Sequence, residues 1–250
     1  MRRLLRDGAL AGLAGGAALA LVLLAAGERT IGRAIELERR ARGGGAATAF
    51  GHAAGEETFS RGVQQAGGVL AALIWGVALG AIFAVAYVAL RQRLETRSDW
   101  RAALTLAAVG FATLTLVPFL KYPANPPGVG EPDTVGRRTA LFLVMLAWSL
   151  LSTGAAWRAA RVLGRQAVPE HLRVPVVALL YVGLVALGLA ALPGLPDPVP
   201  VPATLVWRFR LASLAGTAAF WAVCGTAFGW LRVAAATALD GQAPVPAGRS

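Results

Sequence analysis

The side chains of this sequence that could bind a cation lie in segments between long apolar runs. Eight of the 13 acidic residues occur in three of these segments: Glu28, Glu36, Glu38, Glu56, Glu57, Glu131, Asp133 and Asp197. Together with His52 they provide the oxygen and imidazole ligands that mid-row divalent metals bind. The sequence contains no HExxH or CxxC motif. A solvated charged surface and a metal site therefore both remain open.

Proline and glycine interrupt segment 121–133, which contains four prolines and two glycines and cannot be helical. The segment connects two apolar runs. Irregular backbone near membrane depth is tolerated only against protein or a water-filled cavity, so we predict an ordered loop packed on a helical bundle. Arg137 and Arg138 follow this loop, where they can pair with Glu131 or Asp133.

A second irregular segment, 193–210, carries proline at positions 193, 196, 198, 200 and 202. This spacing favours extended polyproline geometry. The segment ends in Trp207-Arg208-Phe209-Arg210, whose rings can lie at the membrane interface while the guanidinium groups face water or an acidic partner. An interface anchor and a substrate or partner contact both remain open.

The apolar runs that position these segments have the length of membrane-spanning helices. The chain is 56% hydrophobic and 15% charged, with a mean hydropathy of +0.60, which is typical of membrane proteins. The runs are 8–26, 62–90, 102–120, 139–157, 174–193 and 211–231. We predict an all-α, polytopic membrane bundle of about six helices in a single domain, 1–250. Cleavage of the first run as a signal peptide near Ala25-Ala26-Gly27 would leave five.

Small residues recur every fourth position in three of these runs. They are Gly8, Gly12 and Gly16, then Gly76 and Gly80, and finally Gly225 and Gly229. Such stripes allow helix backbones to approach closely, so they predict helix–helix contacts within the bundle. A packing stripe in the first run argues against its removal.

The net charge of +11 comes from arginines at the ends of the apolar runs. They form no continuous basic stripe, so we predict no nucleic-acid partner. The short segments 91–101 and 158–173 hold eight arginines, whereas 121–138 and 194–210 hold five basic residues. The positive-inside rule then places both termini in the cytoplasm. We also expect the membrane to be the bacterial inner membrane. Segment 27–61 becomes an extracytoplasmic linker and 121–138 an outer loop.

Several mechanisms lack the residues that they need. Lys121, the only lysine, is followed by Tyr122, so there is no phosphate-binding loop. The apolar cores contain no carboxylate of the kind that ion-driven carriers use. No pair of base and nucleophile is visible near 121–138, so we predict no enzyme.

Hydroxyl side chains lie within the apolar runs; they include Thr113, Thr115, Ser149, Ser152 and Thr153. We expect these hydroxyls to bond across helices or to their own backbone, with pore lining as the alternative.

The proline-rich loop and its flanks resemble the central signature of the CbtA family of cobalt transporter subunits. The matching residues are Lys121-Tyr122-Pro123-Ala124-Asn125-Pro126-Pro127, Gly130-Glu131-Pro132-Asp133-Thr134 and Gly136-Arg137-Arg138-Thr139. Further similarity lies in Arg2-Arg3-Leu4-Leu5, Arg33-Ala34-Ile35 to Glu38, Ser60-Arg61-Gly62-Val63-Gln64 and Trp207-Arg208-Phe209-Arg210.

The resemblance implies cobalt uptake for cobalamin synthesis, no permanently bound cofactor, and a small single-span partner, CbtB, whose histidine-rich tail supplies metal ligands. Carried over by position, it indicates Glu38, Asn125 and Asp133 as candidate metal ligands. The candidate structural or partner-docking residues are Gln64, Lys121, Tyr122, Arg137, Arg138, Arg208 and Arg210. His52 lies in the glycine-rich stretch 39–57, where the family pattern is not recognisable.

Two other readings of the function stay open. The chain could be a scaffold for a separate permease, or a membrane enzyme with its site in the outer loops. The donors present suit nickel as well as cobalt. Membrane lipid is a certain neighbour of such a chain, and a homo-oligomer is compatible with the sequence.

Overall fold

The computed structural model describes residues 1–43, 61–94, 96–126, 134–194 and 202–240, with side chains for all of these except 27–43, 61 and 238–240. The described residues form α-helices and one π-helix, and they contain no strand. In chain order these are α1 (Arg2–Gly43), α2 (Arg61–Arg91), α3 (Asp99–Gly110), π1 (Phe111–Leu116), α4 (Val117–Lys121), α5 (Val135–Arg165), α6 (Glu170–Ala191) and α7 (Ala203–Asp240).

Six helical spans within the described residues are long and apolar enough to cross a membrane, which confirms the predicted all-α fold with six such helices. They are Arg2–Ala26, Gly62–Arg91, Asp99–Lys121, Val135–Arg165, Glu170–Ala191 and Ala203–Thr237. The third span consists of α3, π1 and α4 in one continuous run. The helices extend beyond the predicted apolar cores because terminal arginines can keep their stems on the helix while the guanidinium groups reach the headgroup layer.

Helix α1 continues past the first span into the segment predicted to be an extracytoplasmic linker, and it ends at Gly43. Residues 28–42 are mainly Glu, Arg, Ala, Leu and Ile. Most of these are good helix formers, so a helix can continue where the apolar run stops. The remainder of the predicted linker, including His52, lies outside the described residues.

The helices divide into two compact units. Unit 1 contains the first 25 residues, α2, α3 up to Val109 and α7 from Ala215. Unit 2 contains the third span from Gly110, then α5, α6 and α7 up to Leu214.

In unit 1, the glycines of α1 and α2 face each other, as the sequence predicts. A Cβ added at Gly12 would meet the backbone oxygen of Gly76 and lie 2.7 Å from the Cα of Gly80. One added at Gly16 would lie 2.5 Å from the backbone oxygen of Ala72. The two backbones are therefore in direct contact, which only small residues permit.

Aromatic rings fill the space between α2 and α7 in unit 1. Phe83 and Tyr87 lie edge-on to Phe228, with ring centroids 5.3 Å and 5.0 Å from it. The predicted small residues of α7 also make contacts: a Cβ on Gly225 would lie 2.5 Å from that of Ala107. This packing fixes the C-terminal half of α7 against α2 and α3.

Hydroxyl groups tie π1 to α5 in unit 2. The Ser149 hydroxyl donates to the backbone oxygen of Thr113 (2.7 Å), and the Thr113 and Thr153 hydroxyls lie 2.9 Å apart. Thr153 also donates to the backbone oxygen of Ser149 at 3.0 Å. A π-helix shifts the backbone hydrogen-bonding register, and here a neighbouring hydroxyl satisfies one of its carbonyls. The predicted bonding of these hydroxyls across helices and to backbone is confirmed.

Helix α6 is fixed to α5 through a tryptophan. The indole N–H of Trp148 donates to the backbone oxygen of Leu184 at 2.7 Å. Its ring lies against Gly188, where any Cβ would collide with it. Gly188 is the one fully buried residue of α6, so this contact helps to set where the end of α6 lies within unit 2.

Candidate functional site

The loop that starts at Lys121 begins where a helix is forced to stop. Tyr122 has non-helical backbone angles (φ −126°, ψ 73°) and precedes Pro123, as expected because a residue before proline avoids the helical region. The Lys121 ammonium donates to the backbone oxygen of Leu189 at 2.7 Å. Leu189 lies in the last turn of α6, where carbonyls lack helical partners and a positive charge is favourable. Lys121 therefore caps a neighbouring helix.

Tyr122 makes the second link to the end of α6. Its hydroxyl donates to the backbone oxygen of Pro193 at 2.9 Å. The side chain is 9% exposed and packs with Val117 and Met145. Burial raises the pKa of the Tyr122 hydroxyl above its usual value, and the charge of Arg137 lowers it by less. The hydroxyl therefore stays protonated at neutral pH and keeps its donor role.

Asn125 links the loop to α7. Its side-chain oxygen accepts a hydrogen bond of 2.9 Å from a terminal nitrogen of Arg210. The Arg210 Nε is buried and has no hydrogen-bond partner in the described structure. The described part of the loop is thus held at three points in unit 2, by Lys121 and Tyr122 on one side and Asn125 on the other. As far as residue 126, the predicted ordered loop is confirmed.

The other predicted site residues divide between the units and the undescribed parts of the chain. Arg137 and Arg208 are exposed in unit 2, and Arg138 is half-buried there. Gln64 is exposed on α2, in unit 1. The side chain of Glu38, and Asp133 altogether, lie outside the described residues, as do the suggested pairs of Arg137 and Arg138 with loop carboxylates.

The described residues contain no group of three or more His, Cys, Asp or Glu side chains that could hold a metal ion. The Asn125 oxygen accepts from a guanidinium, and a positive charge about 3 Å away opposes the approach of a divalent cation. The geometry gives Asn125 a bracing contact. Its role as a metal ligand stays a prediction.

Sequence reasoning missed the acceptors of this site, the backbone oxygens of Leu189 and Pro193. A backbone carbonyl has no residue-type signal, so only the fold could place these two groups beside Lys121 and Tyr122. It also missed a buried charge in unit 1: Asp7 is 3% exposed, although it stands among arginines near the start of the chain.

The match to known proteins is at the level of a family. No curated protein and no solved structure matches this chain significantly. The family model described as "Probable cobalt transporter subunit (CbtA)" matches residues 1–233. The match extends from the first span through the loop that starts at Lys121, here called the braced loop, and into the last span. The chain therefore belongs to the CbtA family.

Proposed function

We propose that this protein is the membrane subunit of a cobalt uptake system that supports cobalamin synthesis, and that it acts with a small histidine-rich, single-span partner. The observation that carries the proposal is the family match over residues 1–233. The braced loop supports it, since a rigid scaffold can present loop side chains in a fixed geometry.

The charge of the segments around the loop that begins at Lys121, in unit 2, supports the involvement of a partner. Segments 121–126, 134–140, 189–194 and 202–210 contain five basic residues and no carboxylate: Lys121, Arg137, Arg138, Arg208 and Arg210. A hydrated divalent cation is repelled by such a surface unless negative charge is supplied. We propose that Glu38 and Asp133 supply part of it, and that imidazoles of the partner supply the remaining ligands.

We propose separate roles for the basic residues. Lys121 and Arg210 are engaged with Leu189 and Asn125 and hold the loop. Exposed Arg137 and Arg208 are free to face acidic groups of the partner. Arginine suits this docking role because its planar guanidinium can bind a carboxylate through two hydrogen bonds.

Uptake of radiolabelled cobalt by a strain without its own importers tests the proposal. The chain is expressed alone, with a histidine-rich single-span partner, or omitted. We expect uptake above background with both proteins and markedly less with either one. Equal uptake with and without the chain would remove the transport function. Competition by nickel in the same assay determines which of the two metals is preferred.

The alternative function is a scaffold that stabilises a separate permease without carrying the ion. The absence of a multidentate metal cluster from the described residues favours it. Reconstituting the purified chain and the partner in cobalt-free vesicles separates the two functions. Cobalt entry into these vesicles requires a transporter, whereas a scaffold gives none until the permease is added.

We propose that both termini are cytoplasmic and that the loops near 125 and 208 share the outer side of the inner membrane. Labelling of single cysteines at these two positions with a membrane-impermeant reagent tests this placement. The native Cys224 is fully buried, and a Cys224→Ala background removes it. Labelling of the two positions from opposite sides would contradict the proposal.

A further inference from the structure

The third span contains a break in its backbone hydrogen bonding at the end of π1. The N–H of Val117 donates to the backbone oxygen of Ala112, five residues earlier, which is the π-helical register. The next donor in this register would be the N–H of residue 118, and its acceptor would be the backbone oxygen of Thr113. Residue 118 is a proline and has no N–H. The Thr113 carbonyl therefore lacks the donor that this register requires.

A hydroxyl of α5 replaces the missing donor. Ser149 is fully buried, and its hydroxyl donates to the Thr113 oxygen at 2.7 Å. An unpaired carbonyl is costly in lipid, so this bond stabilises π1 in its present register. A regular helix would bond the same carbonyl within its own backbone. Here the bond comes from the side chain of another helix, and rotation of one hydroxyl can release it.

The two halves of the third span pack on different units. Before π1, Ala107 contacts α7 in unit 1, where a Cβ on Gly225 would lie 2.5 Å from that of Ala107. After π1, Val117 belongs to a core cluster of unit 2 with Met145. The chain passes from unit 1 to unit 2 at Gly110, the residue before π1. A bend of the span between these two anchors therefore falls on π1.

Helix α7 makes the return passage from unit 2 to unit 1, between Leu214 and Ala215. The following residue is Gly216, and glycine is the poorest helix former apart from proline. These two passages therefore each lie close to a residue that weakens the helix, Pro118 in the third span and Gly216 in α7.

We infer that π1 and Pro118 form a hinge at which the third span bends, and that the Ser149 hydroxyl is the latch that holds this hinge in the conformation of the described structure. Proline inside a helix and π-helical turns are two established causes of sharp helix bends, and here they coincide. Passage of an ion through a bundle requires more than one conformation. Use of the hinge for that step rests on the proposed function, whereas the bending itself does not.

Distances between spin labels in the purified full-length protein test the hinge. The labels are attached to Ile82→Cys on α2 and Leu120→Cys on the third span, two exposed positions, in a Cys224→Ala background. Leu120 lies about 15 Å along the helix from Gly110, so a bend of about 20° moves it by roughly 5 Å. We expect two populations of this distance. A second pair, Leu120→Cys with Leu179→Cys on α6, lies within unit 2 and should give one population.

Two substitutions should change the ratio of the second, bent population to the first in opposite directions. Pro118→Ala supplies the missing N–H and should lower this ratio about fivefold, the factor that corresponds to one net hydrogen bond. Ser149→Ala removes the latch and should raise the ratio by about the same factor. The matched control is Pro175→Ala, which removes a proline within α6 and should leave the ratio unchanged. General destabilisation of the fold would not produce opposite changes.

A wild-type distance between α2 and the third span that is as narrow as the distance within unit 2 would overturn the hinge. A ratio that Pro118→Ala or Ser149→Ala leaves unchanged would also overturn it. If Pro118→Ala does not fold, Ser149→Ala alone decides: a rise of the bent population supports the inference, and no rise contradicts it.

The distance measurement and the uptake assay fail independently. Two populations in a protein that takes up no cobalt would leave the hinge standing and remove the transport function. Cobalt uptake by a wild type with one narrow distance would remove the hinge and leave the function standing.

Discussion

Replacing Gly12 by alanine tests the closest helix contact of unit 1. The new Cβ would meet the backbone oxygen of Gly76 and lie 2.7 Å from the Cα of Gly80. Two carbon atoms normally stay about 3.5–4.0 Å apart. Helices α1 and α2 must therefore separate by roughly 1 Å, a gap that forfeits a quarter to a half of the dispersion energy of each contact it opens. Overpacking of this kind costs about 1–3 kcal/mol.

The same substitution at Gly67 of α2 provides the control. There the added methyl group has no atom of the described structure within 4 Å. Both changes replace glycine by alanine inside a helix, which favours folding by about 1 kcal/mol in each case. That contribution cancels in the comparison. The difference between the two variants in free energy of unfolding then isolates the steric cost at Gly12.

Thermal unfolding of the two variants in one detergent measures this difference. For a chain of this size, each kcal/mol corresponds to about 2–4 °C. We expect the Gly12→Ala protein to unfold several degrees below the Gly67→Ala protein. A Gly12→Ala protein as stable as the Gly67→Ala protein would refute the direct backbone contact, since the added methyl group would then have had room.

Three further substitutions test the loop and the π-helix. Asn125→Ala leaves a half-buried guanidinium without its acceptor, so cobalt uptake should fall well below that of Arg161→Gln, a control at an exposed arginine of α5 with no proposed role; equal uptake would contradict the bracing role. Tyr122→Phe keeps the packed ring and loses one hydrogen bond, and it should lower the unfolding free energy by about 1 kcal/mol in chemical denaturation. Ser149→Ala leaves the Thr113 carbonyl unpaired within the membrane, which should cost about 0.5–2 kcal/mol in the same assay, and no loss would show that π1 does not depend on this bond.

The helices could be predicted from the sequence because each apolar run has to satisfy the hydrogen-bonding groups of its own backbone. In lipid, a helix is the spanning structure that needs no partner to do so. The glycine stripe at Gly8, Gly12 and Gly16 likewise predicted a close contact, since only small residues let backbones touch. The residues at which the helices end were less predictable. Helix α1 runs on to Gly43 because charged residues that leave the membrane can still be good helix formers.

The loop was only partly predictable. Its prolines showed that Lys121 and Tyr122 end a helix, and the arginines at 208 and 210 stood out as candidates for bracing or docking. Which of these two arginines meets Asn125 could not be read from the sequence, because they lie two positions apart on α7. Only the packing of α7 beside the loop half-buries Arg210, where it reaches Asn125, and leaves Arg208 exposed.

The amino-acid sequence alone was enough to predict that the chain crosses a membrane in helices, where its irregular segments lie, and which family it belongs to. These properties depend on neighbouring residues along the chain, through hydropathy, proline and local motif. Folding into the tertiary structure settles which groups meet: the Tyr122 hydroxyl with the Pro193 carbonyl, and Arg232 with the buried carboxylate of Asp7. Such meetings depend on helix rotation and register, which follow from the packing of whole faces against each other, and no single segment contains that information.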